Sequence, residues 1–254
     1  MSKTKKYPIA IVSDEGSWFE PFADRLRREL VSQGHEVTVL PHFDCAHSYE
    51  LVFLLSCSEL IPEAELKRNQ HNLVVHASRL PQGRGWSPMT WQILEGASHF
   101  PVTLFEAVAA VDAGPVYLQR EMYFDGTELV DDLRRIMGKA IVALCLEFVN
   151  RYPDVLDGAR AQTGTESFYP RRRPKDSRID IDKTLREQIN LLRVVDNERY
   201  PAFFEWKGCR YQLQVSRVNT VASISNGRLS SGGVLSDSIT RVMIRGQRCA
   251  QVAV

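Results

Sequence analysis

The sequence lacks most of the features that would assign it to a large enzyme class at sight. It has no run of eighteen or more apolar residues, so no membrane-spanning helix is expected. The opening Met1-Ser-Lys-Thr-Lys-Lys6 leads into a short strand and not into the apolar stretch of a secretory leader, which makes the cytoplasm the expected compartment. The five cysteines (Cys45, Cys57, Cys145, Cys209, Cys249) are scattered, odd in number and without a Cys-x-x-Cys pair. Neither a disulfide framework nor a zinc site is indicated, and no metal is expected. There is no Gly-x-x-x-x-Gly-Lys, no His-Glu-x-x-His and no Gly-x-Ser-x-Gly, and Gly83-Arg-Gly85 does not extend to a third glycine. Nucleoside triphosphatases, zincins, most serine hydrolases and a dinucleotide fingerprint are thereby set aside. Low-complexity tracts are absent, and the net charge is only +1.

What is present is a globular chain of 254 residues, 44% apolar, long enough for one sizeable core and a smaller appended module. Its charge is unevenly spread. Residues 1–150 carry 14 Lys/Arg against 20 Asp/Glu, a net of −6, while residues 151–254 carry 18 against 11, a net of +7. A basic second part suits phosphate-bearing partners, whether a nucleotide diphosphate or a nucleic acid.

Along the chain, residues 7–13 read as a buried strand. Ser17 with Glu20 reads as a capping box opening a helix whose stripe is Trp18, Phe22, Leu26 and Leu30, closed by Gly34. Strands follow at Glu36 to Leu40 and Leu51 to Leu55, then a short helix near 62–69 and a strand ending at His76. A helix from about 127 to 151, with Leu129, Leu133, Ile136, Ile141 and Leu144 on one face, closes the first part. This alternation predicts an α/β fold, a Rossmann-like and mostly parallel sheet covered by helices, over residues 1–153. Residues 154–254 then read as a small α+β module: a polar linker from Asp154 to Glu166, a helix from about Thr184 to Val195, a strand at Tyr211 to Val215 and three further short stretches. His42, Asp44 and His47 share a loop, but their spacing fits no helical ligand pair, and a solvated loop is the reading.

The chemistry concentrates between residues 72 and 114. Leu73, Val74 and Val75 form an apolar run that stops at His76, followed by a glycine- and proline-punctuated loop. Ligands of open α/β sheets gather at the carboxyl ends of strands, so a strand-end histidine stands where a base would be needed. Ser87-Pro88 reads as N-cap and first helical residue and Gly96 as the end of that helix. A second strand, Pro101 to Val108, leads to Asp112-Ala-Gly114. Taken singly, a strand-end histidine is more often structural than catalytic, and an aspartate before Ala-Gly is usually a turn residue.

The order of the blocks changes that weighting. His76-Ala-Ser78, Leu80-Pro81, Arg84-Gly85-x-x-Pro88, Trp91, Gly96, Val102-Thr103 and Asp112-x-Gly114 resemble the signature of the 10-formyltetrahydrofolate-dependent formyltransferases. Further on, Phe168, Tyr169, Arg171, Arg172, Pro174, Asp176, Ile179, Asp180, Arg193, Tyr200, Pro201 and Phe204 resemble the second block of the amino-sugar N-formyltransferases. The likeness covers roughly residues 50 to 215.

The resemblance implies transfer of a formyl group from 10-formyltetrahydrofolate, as co-substrate, to the amine of a nucleotide-linked amino-deoxy sugar in a surface polysaccharide or pseudaminic-acid-type pathway. It implies His76 as base and Asp112 as the carboxylate that orients it. Ser56, Ser58, Ile61, Pro62, Arg84, Gly85 and Asp112 would lie beside the folate, the Leu55 to Pro62 loop by its backbone groups. Ser78, Pro81, Gly83, Trp86, Tyr169, Arg171 and Arg172 would face the sugar nucleotide, arginine forks being suited to diphosphate oxygens. Cys57, inside the folate loop, reads as a bystander thiol because no local sequence cue lowers its pKa.

One departure stands out: the family's oxyanion donor is an asparagine two residues before the histidine, where this chain has Val74. Asn72 is four residues upstream of His76, about 13 Å at ~3.3 Å per residue, too far to substitute unless the strand bulges. Ser78, an amide of the 82–86 loop or a protonated His76 are the alternatives, for a donor whose loss typically costs ~2.7–4 kcal/mol. Other readings are a methionyl-tRNA formyltransferase-like enzyme, a 10-formyltetrahydrofolate hydrolase and a non-catalytic folate or nucleotide binder. The family's tRNA enzymes carry a longer C-terminal domain than 154–254 offers. No membrane partner is indicated, and the family's frequent pairing makes a homodimer compatible.

Overall fold

The computed structural model describes residues 5–43, 47–218 and 244–246. It divides into two compact units, Met1–Arg172 and Arg173–Val254. The first is built on a six-stranded sheet in the order β2-β1-β3-β4-β6-β7. Strands β1 (Pro8–Val12), β2 (Glu36–Leu40), β3 (Leu51–Leu54) and β4 (His71–His76) run parallel. A two-residue strand β5 (Arg84–Gly85) intervenes in sequence, and β6 (His99–Glu106) and β7 (Val116–Tyr123) complete the sheet antiparallel. The expected α/β class and mostly parallel sheet are what is found.

Burial follows position in the sheet. All four residues of β3 are buried, as a central parallel strand covered on both faces requires, whereas β2, an edge strand, is exposed or half-buried throughout. Helix α1 (Glu20–Ser32) turns Ala23, Leu26 and Leu30 inward, and α4 (Val130–Arg151) turns Leu133, Ile141, Leu144 and Phe148 inward. The Phe148 ring meets Phe53 of β3 edge-on at 6.3 Å. The two helices approach where α4 has Gly138: a Cβ there would lie 2.7 Å from the Phe22 ring. Two short helices, α2 (Glu63–Leu66) and α3 (Pro88–Leu94), stand between strands.

Several local expectations are corrected. Helix α1 begins at Glu20, so Ser17 and Glu20 form no capping box; Glu20 instead accepts the Gly16 amide, and Ser17 Oγ accepts that of Phe19 at 3.2 Å. Ser87 precedes α3 in the left-handed region, φ 49°, and its hydroxyl caps nothing. The stretch 154–166 is no free linker. It holds a 3-10 turn (Asp154–Gly158), bridges Arg160 to Val116, and leads to β8 (Phe168–Tyr169), which pairs with β5. These pairings tie it to the first unit, so the unit boundary falls after Arg172 and not at 153.

In the second unit, α5 (Ile189–Val194) is shorter than the expected 184–195 helix: residues 185–188 form turns, where the Thr184 amide and hydroxyl both donate to Glu187 at 2.8 and 2.7 Å. Strands β9 (Ala202–Trp206), β10 (Cys209–Leu213) and β11 (Ile244–Gly246) form an antiparallel sheet. Ile179, Leu192, Val195 and Ala202 make its core. Asp44 of the histidine loop, Cys45, Cys249 and most of the short stretches expected after residue 218 lie outside the described residues. Among the described residues no helix is long and apolar enough to cross a membrane.

Candidate active site

His76 is the last residue of β4 and is buried. Its Nε2 lies 2.7 Å from the carbonyl oxygen of Gly83. A carbonyl only accepts, so this contact fixes the tautomer with the hydrogen on Nε2 and leaves Nδ1 as the proton acceptor. Nδ1 faces Asp112 Oδ2 at 3.8 Å. That gap is wider than a direct hydrogen bond, yet an N–H or O–H group at its apex would reach both atoms at about 2.8–3.0 Å.

Asp112 is held as firmly. Its Oδ2 accepts the Gly85 amide at 2.8 Å, its carbonyl accepts Gln162 Nε2 at 2.8 Å, and its backbone sits at φ 51°. The loop carrying it closes on Gly114, where a Cβ would lie 1.8 Å from the Glu106 carbonyl oxygen; only glycine fits. Gly85 is equally constrained, at φ 95° with a Cβ position 2.6 Å from Tyr169 O.

The other expected site residues divide into three groups. Gly83, Arg84, Gly85 and Trp86 form the 82–86 loop with Gln82, and Ser78, Pro81 and Tyr169 lie beside it. Arg84, expected beside the folate, bonds Glu166 at 2.7 Å and Gln162 at 2.8 Å. Pro81 is buried and its carbonyl accepts the Ser167 amide at 3.3 Å. Tyr169 bonds Glu95 at 2.6 Å and stacks on Trp91, and burial followed by the Glu95 carboxylate pushes its phenol well above the ordinary range. A cleft of about 350 Å³ opens here, lined among others by Arg79, Gly83, Glu95 and Tyr169. Trp86 is exposed and Arg171 lies over its ring at 4.6 Å; Arg172 is the last residue of this unit.

Ser56, Ser58, Ile61 and Pro62 form the second group, in the loop after β3. Ser56, at φ 57°, bonds Ser17 Oγ at 2.8 Å; Ser58 N donates to Asp14; Ile61 packs on the Ala10, Val12, Val52 and Leu54 cluster; Pro62 precedes α2. Cys57 lies among them. Burial, reinforced by the Asp14 and Glu59 carboxylates, raises its thiol above the usual value. Its alkylation by iodoacetamide at pH 7.5 is therefore expected to be slower than that of a free cysteine and to keep rising past pH 9. Peptide mass spectrometry of timed samples measures it, and a rate levelling below pH 8 would contradict the assignment.

Val74 and the substitutes for the missing asparagine form the third. Val74 packs against Leu80, Phe105 and Val116. The Asn72 side-chain amide is consumed, its Nδ2 donating to Leu66 O at 2.8 Å and its Oδ1 accepting from Asn69 at 3.0 Å. Every amide of the 82–86 loop is also engaged: Gln82 with Arg79 O, Gly83 with Ser167 Oγ, Arg84 with Ser167 O, Gly85 with Asp112 and Trp86 with Tyr169 O. Ser78 Oγ is different. It is buried directly beneath Gly83 and has no partner among the described residues.

Sequence patterning does not reveal Gln162, inside the expected linker, or Ser167, just past it, which clamp the loop. Nor did it reveal a buried cluster at the root of the Asp112 loop. There the Glu106 carboxylate accepts the Asn72 backbone N–H at 2.6 Å, Tyr117 Oη at 2.9 Å and His71 Nδ1 at 3.0 Å. No group of three or more His, Cys, Asp or Glu that could hold a metal occurs among the described residues.

A mostly parallel α/β sheet with a strand-end histidine facing a loop aspartate can accept and hold a proton during group transfer. Residues 45–143 match the family described as Formyl transferase, and the chain carries a domain of that family. A methionyl-tRNA formyltransferase of Lactococcus lactis subsp. lactis (strain IL1403) is 30% identical over 183 residues, 70% of this chain and 54% of its own. HypX from Aquifex aeolicus, solved in complex with tetrahydrofolic acid, superposes with TM-score 0.69 at 21% identity over 82% of this chain and 37% of its own. A 4-N formyltransferase from Francisella tularensis does so with TM-score 0.62 at 19% identity, over 85% of this chain and 99% of its own. The structural likenesses speak for the fold. The chain spans about half the length of the curated relatives it matches.

Proposed function

We propose that this protein transfers a formyl group from 10-formyltetrahydrofolate to the amine of a nucleotide-linked amino-deoxy sugar. The observation that carries the reading is the convergence of His76 Nδ1 and Asp112 Oδ2, 3.8 Å apart, on one point at which an attacking amine could be held by both. The folate supplies the activated formyl group. The chain's part is to take the proton that the amine loses as its nitrogen bonds the formyl carbon. Nδ1 accepts that proton while Nε2–H stays anchored on Gly83 O, and Asp112 lies beside the imidazolium that results. The proton then returns to the folate nitrogen as its bond to the formyl carbon breaks. Negative charge developing on the formyl oxygen needs a donor, and Ser78 Oγ is the one with unused hydrogen-bonding capacity close to the loop.

The sugar nucleotide as acceptor is supported by the arginine and aromatic block that includes Tyr169, Arg171 and Arg172, by Arg171 stacked on the exposed Trp86, and by the near-complete overlap with the length of the 4-N formyltransferase. The curated relatives' name favours a second acceptor, initiator methionyl-tRNA.

The test is a discontinuous assay of 10-formyltetrahydrofolate with UDP-, dTDP- and GDP-linked 4-amino-4,6-dideoxy sugars, read as a mass gain of one formyl group. One sugar is expected to react, and His76→Ala to lower the rate by about 10²–10⁴-fold. Reaction of methionyl-tRNA alone, with binding that collapses between low and moderate salt, would replace the sugar by the tRNA. Formate released without any acceptor would replace transfer by hydrolysis.

A further inference from the structure

A second cleft, of about 450 Å³, opens in the first unit at the carboxyl ends of β1 and β2, beside the first turns of α1. Its residues are distinct from every group in the proposed formyl-transfer site. The floor carries Ser13, which follows β1 and is 5% exposed. The Ser13 amide is satisfied by Leu40 O at 3.0 Å, yet its hydroxyl has no partner among the described residues. A hydroxyl buried in a cleft with nothing to bond is ordinarily met by water or by a ligand group.

The walls and the rim differ in character. Ala23 from α1 and Val39 and Pro41 from the β2 side are apolar, and Val39 is 42% exposed although it belongs to a strand. The rim is acidic. Asp24 is already paired with Arg27 at 3.0 Å and Arg28 at 3.4 Å, so its charge is balanced. Glu20 accepts the Gly16 amide through one oxygen, and Glu15 is exposed at the mouth. Arg27 also lines the cleft, so Glu15 and Glu20 face the one guanidinium charge that Asp24 leaves over, and the rim stays acidic by a single charge, a field that favours a cation over an anion.

We infer that this cleft binds a small amphipathic amine: an ammonium group against Glu15 and Glu20, an apolar ring between Ala23, Val39 and Pro41, and a hydroxyl at the far end reaching Ser13 Oγ. Such a ligand meets each feature with a complementary group. The buried hydroxyl gains a partner, the exposed valine is covered, and the excess negative charge finds a counter-charge.

The experiment uses three probes on the full chain, followed by amide correlation NMR: tyramine, phenethylamine, which lacks the hydroxyl, and 3-(4-hydroxyphenyl)propionate, which replaces the ammonium by a carboxylate. Tyramine is expected to shift the Ser13, Glu20, Ala23 and Leu40 amides saturably, and the propionate not to. Ser13→Ala should erase the preference for tyramine over phenethylamine, which is about fivefold or more if one hydrogen bond to a buried hydroxyl is made. Glu15→Gln with Glu20→Gln should weaken tyramine by about tenfold or more. Thermal melts check that both variants fold, and Glu15→Gln alone, at an exposed position, is the second carboxylate variant should the pair be unstable. Equal binding of the amine and the carboxylate, a preference unaffected by Ser13→Ala, or an absence of saturable shifts at these amides would each overturn the assignment.

Discussion

Asp112→Asn is expected to leave the protein folded and to lower formyl transfer by about 10²–10⁴-fold. The substitution is selective because Asp112 does two separable things. Its Oδ2 anchors the Gly85 amide at 2.8 Å, and its charge faces His76 Nδ1 at 3.8 Å. An asparagine oxygen still accepts the Gly85 amide, and asparagine tolerates the left-handed backbone at φ 51°. What disappears is the charge beside the imidazolium that forms when Nδ1 takes the proton. Asp112→Ala loses both functions, and its backbone pays roughly 1–2 kcal/mol for the left-handed conformation. The two variants should therefore share a low kcat while only alanine lowers the melting temperature. Rates at saturating co-substrates, with melts of both proteins, decide the matter. An asparagine variant as active as the parent would reduce Asp112 to a loop anchor and remove it from the chemistry.

The contrast between these two roles shows which parts of the molecule the sequence made legible. His76 could be placed because an apolar run that ends in a histidine has a geometric meaning in a parallel sheet, and β4 ends there. Gly114 and Gly85 were noticed as punctuation, and the structure gives the reason: each abuts a backbone carbonyl that leaves no room for a Cβ. By contrast, Gln162 and Ser167 sit in a polar stretch with no periodicity. Their bonds reach 50 and 84 residues back along the chain, to Asp112 and to Gly83. No local pattern encodes a hydrogen bond of that span, so the stretch from Asp154 to Glu166 reads as a linker, whereas the first unit extends to Arg172. Ser17 and Ser87 failed for a related reason. Each has the composition of a cap, but Ser17 bonds Ser56 from another strand's loop and Ser87 takes a left-handed turn, so tertiary context overrode the local preference. The absence of an asparagine at 74 was visible at once. Its consequence was not, because it depends on every amide of the 82–86 loop being already engaged.

The root of the Asp112 loop yields the prediction with the largest effect on stability. Glu106 is the last residue of β6, and its carboxylate gathers the Asn72 backbone N–H, the Tyr117 hydroxyl and His71 Nδ1. Its backbone does as much: its amide donates to Pro115 O at 3.0 Å, and Gly114 packs against its carbonyl. Both feet of the loop thus stand on one residue whose side chain is only 17% exposed. Glu106→Ala strands three donors in a site where water has little access. Each buried donor left without an acceptor costs about 1–3 kcal/mol, and they do not add fully. A total loss of about 3–5 kcal/mol is expected, in the range found when one partner of a buried pair is removed. For a domain of this size that is a fall in Tm of roughly 10 °C. Glu106→Gln keeps one oxygen for the Asn72 backbone N–H and should lose less than half as much. Because the loop delivers Asp112 to His76, the glutamine variant is also expected to lose transfer rate in excess of any unfolding at the assay temperature. Denaturant melts give the first quantity and kcat of the folded fraction gives the second. A glutamine variant with normal kcat would mean that Glu106 secures the fold of β4, β6 and β7 without setting the position of Asp112.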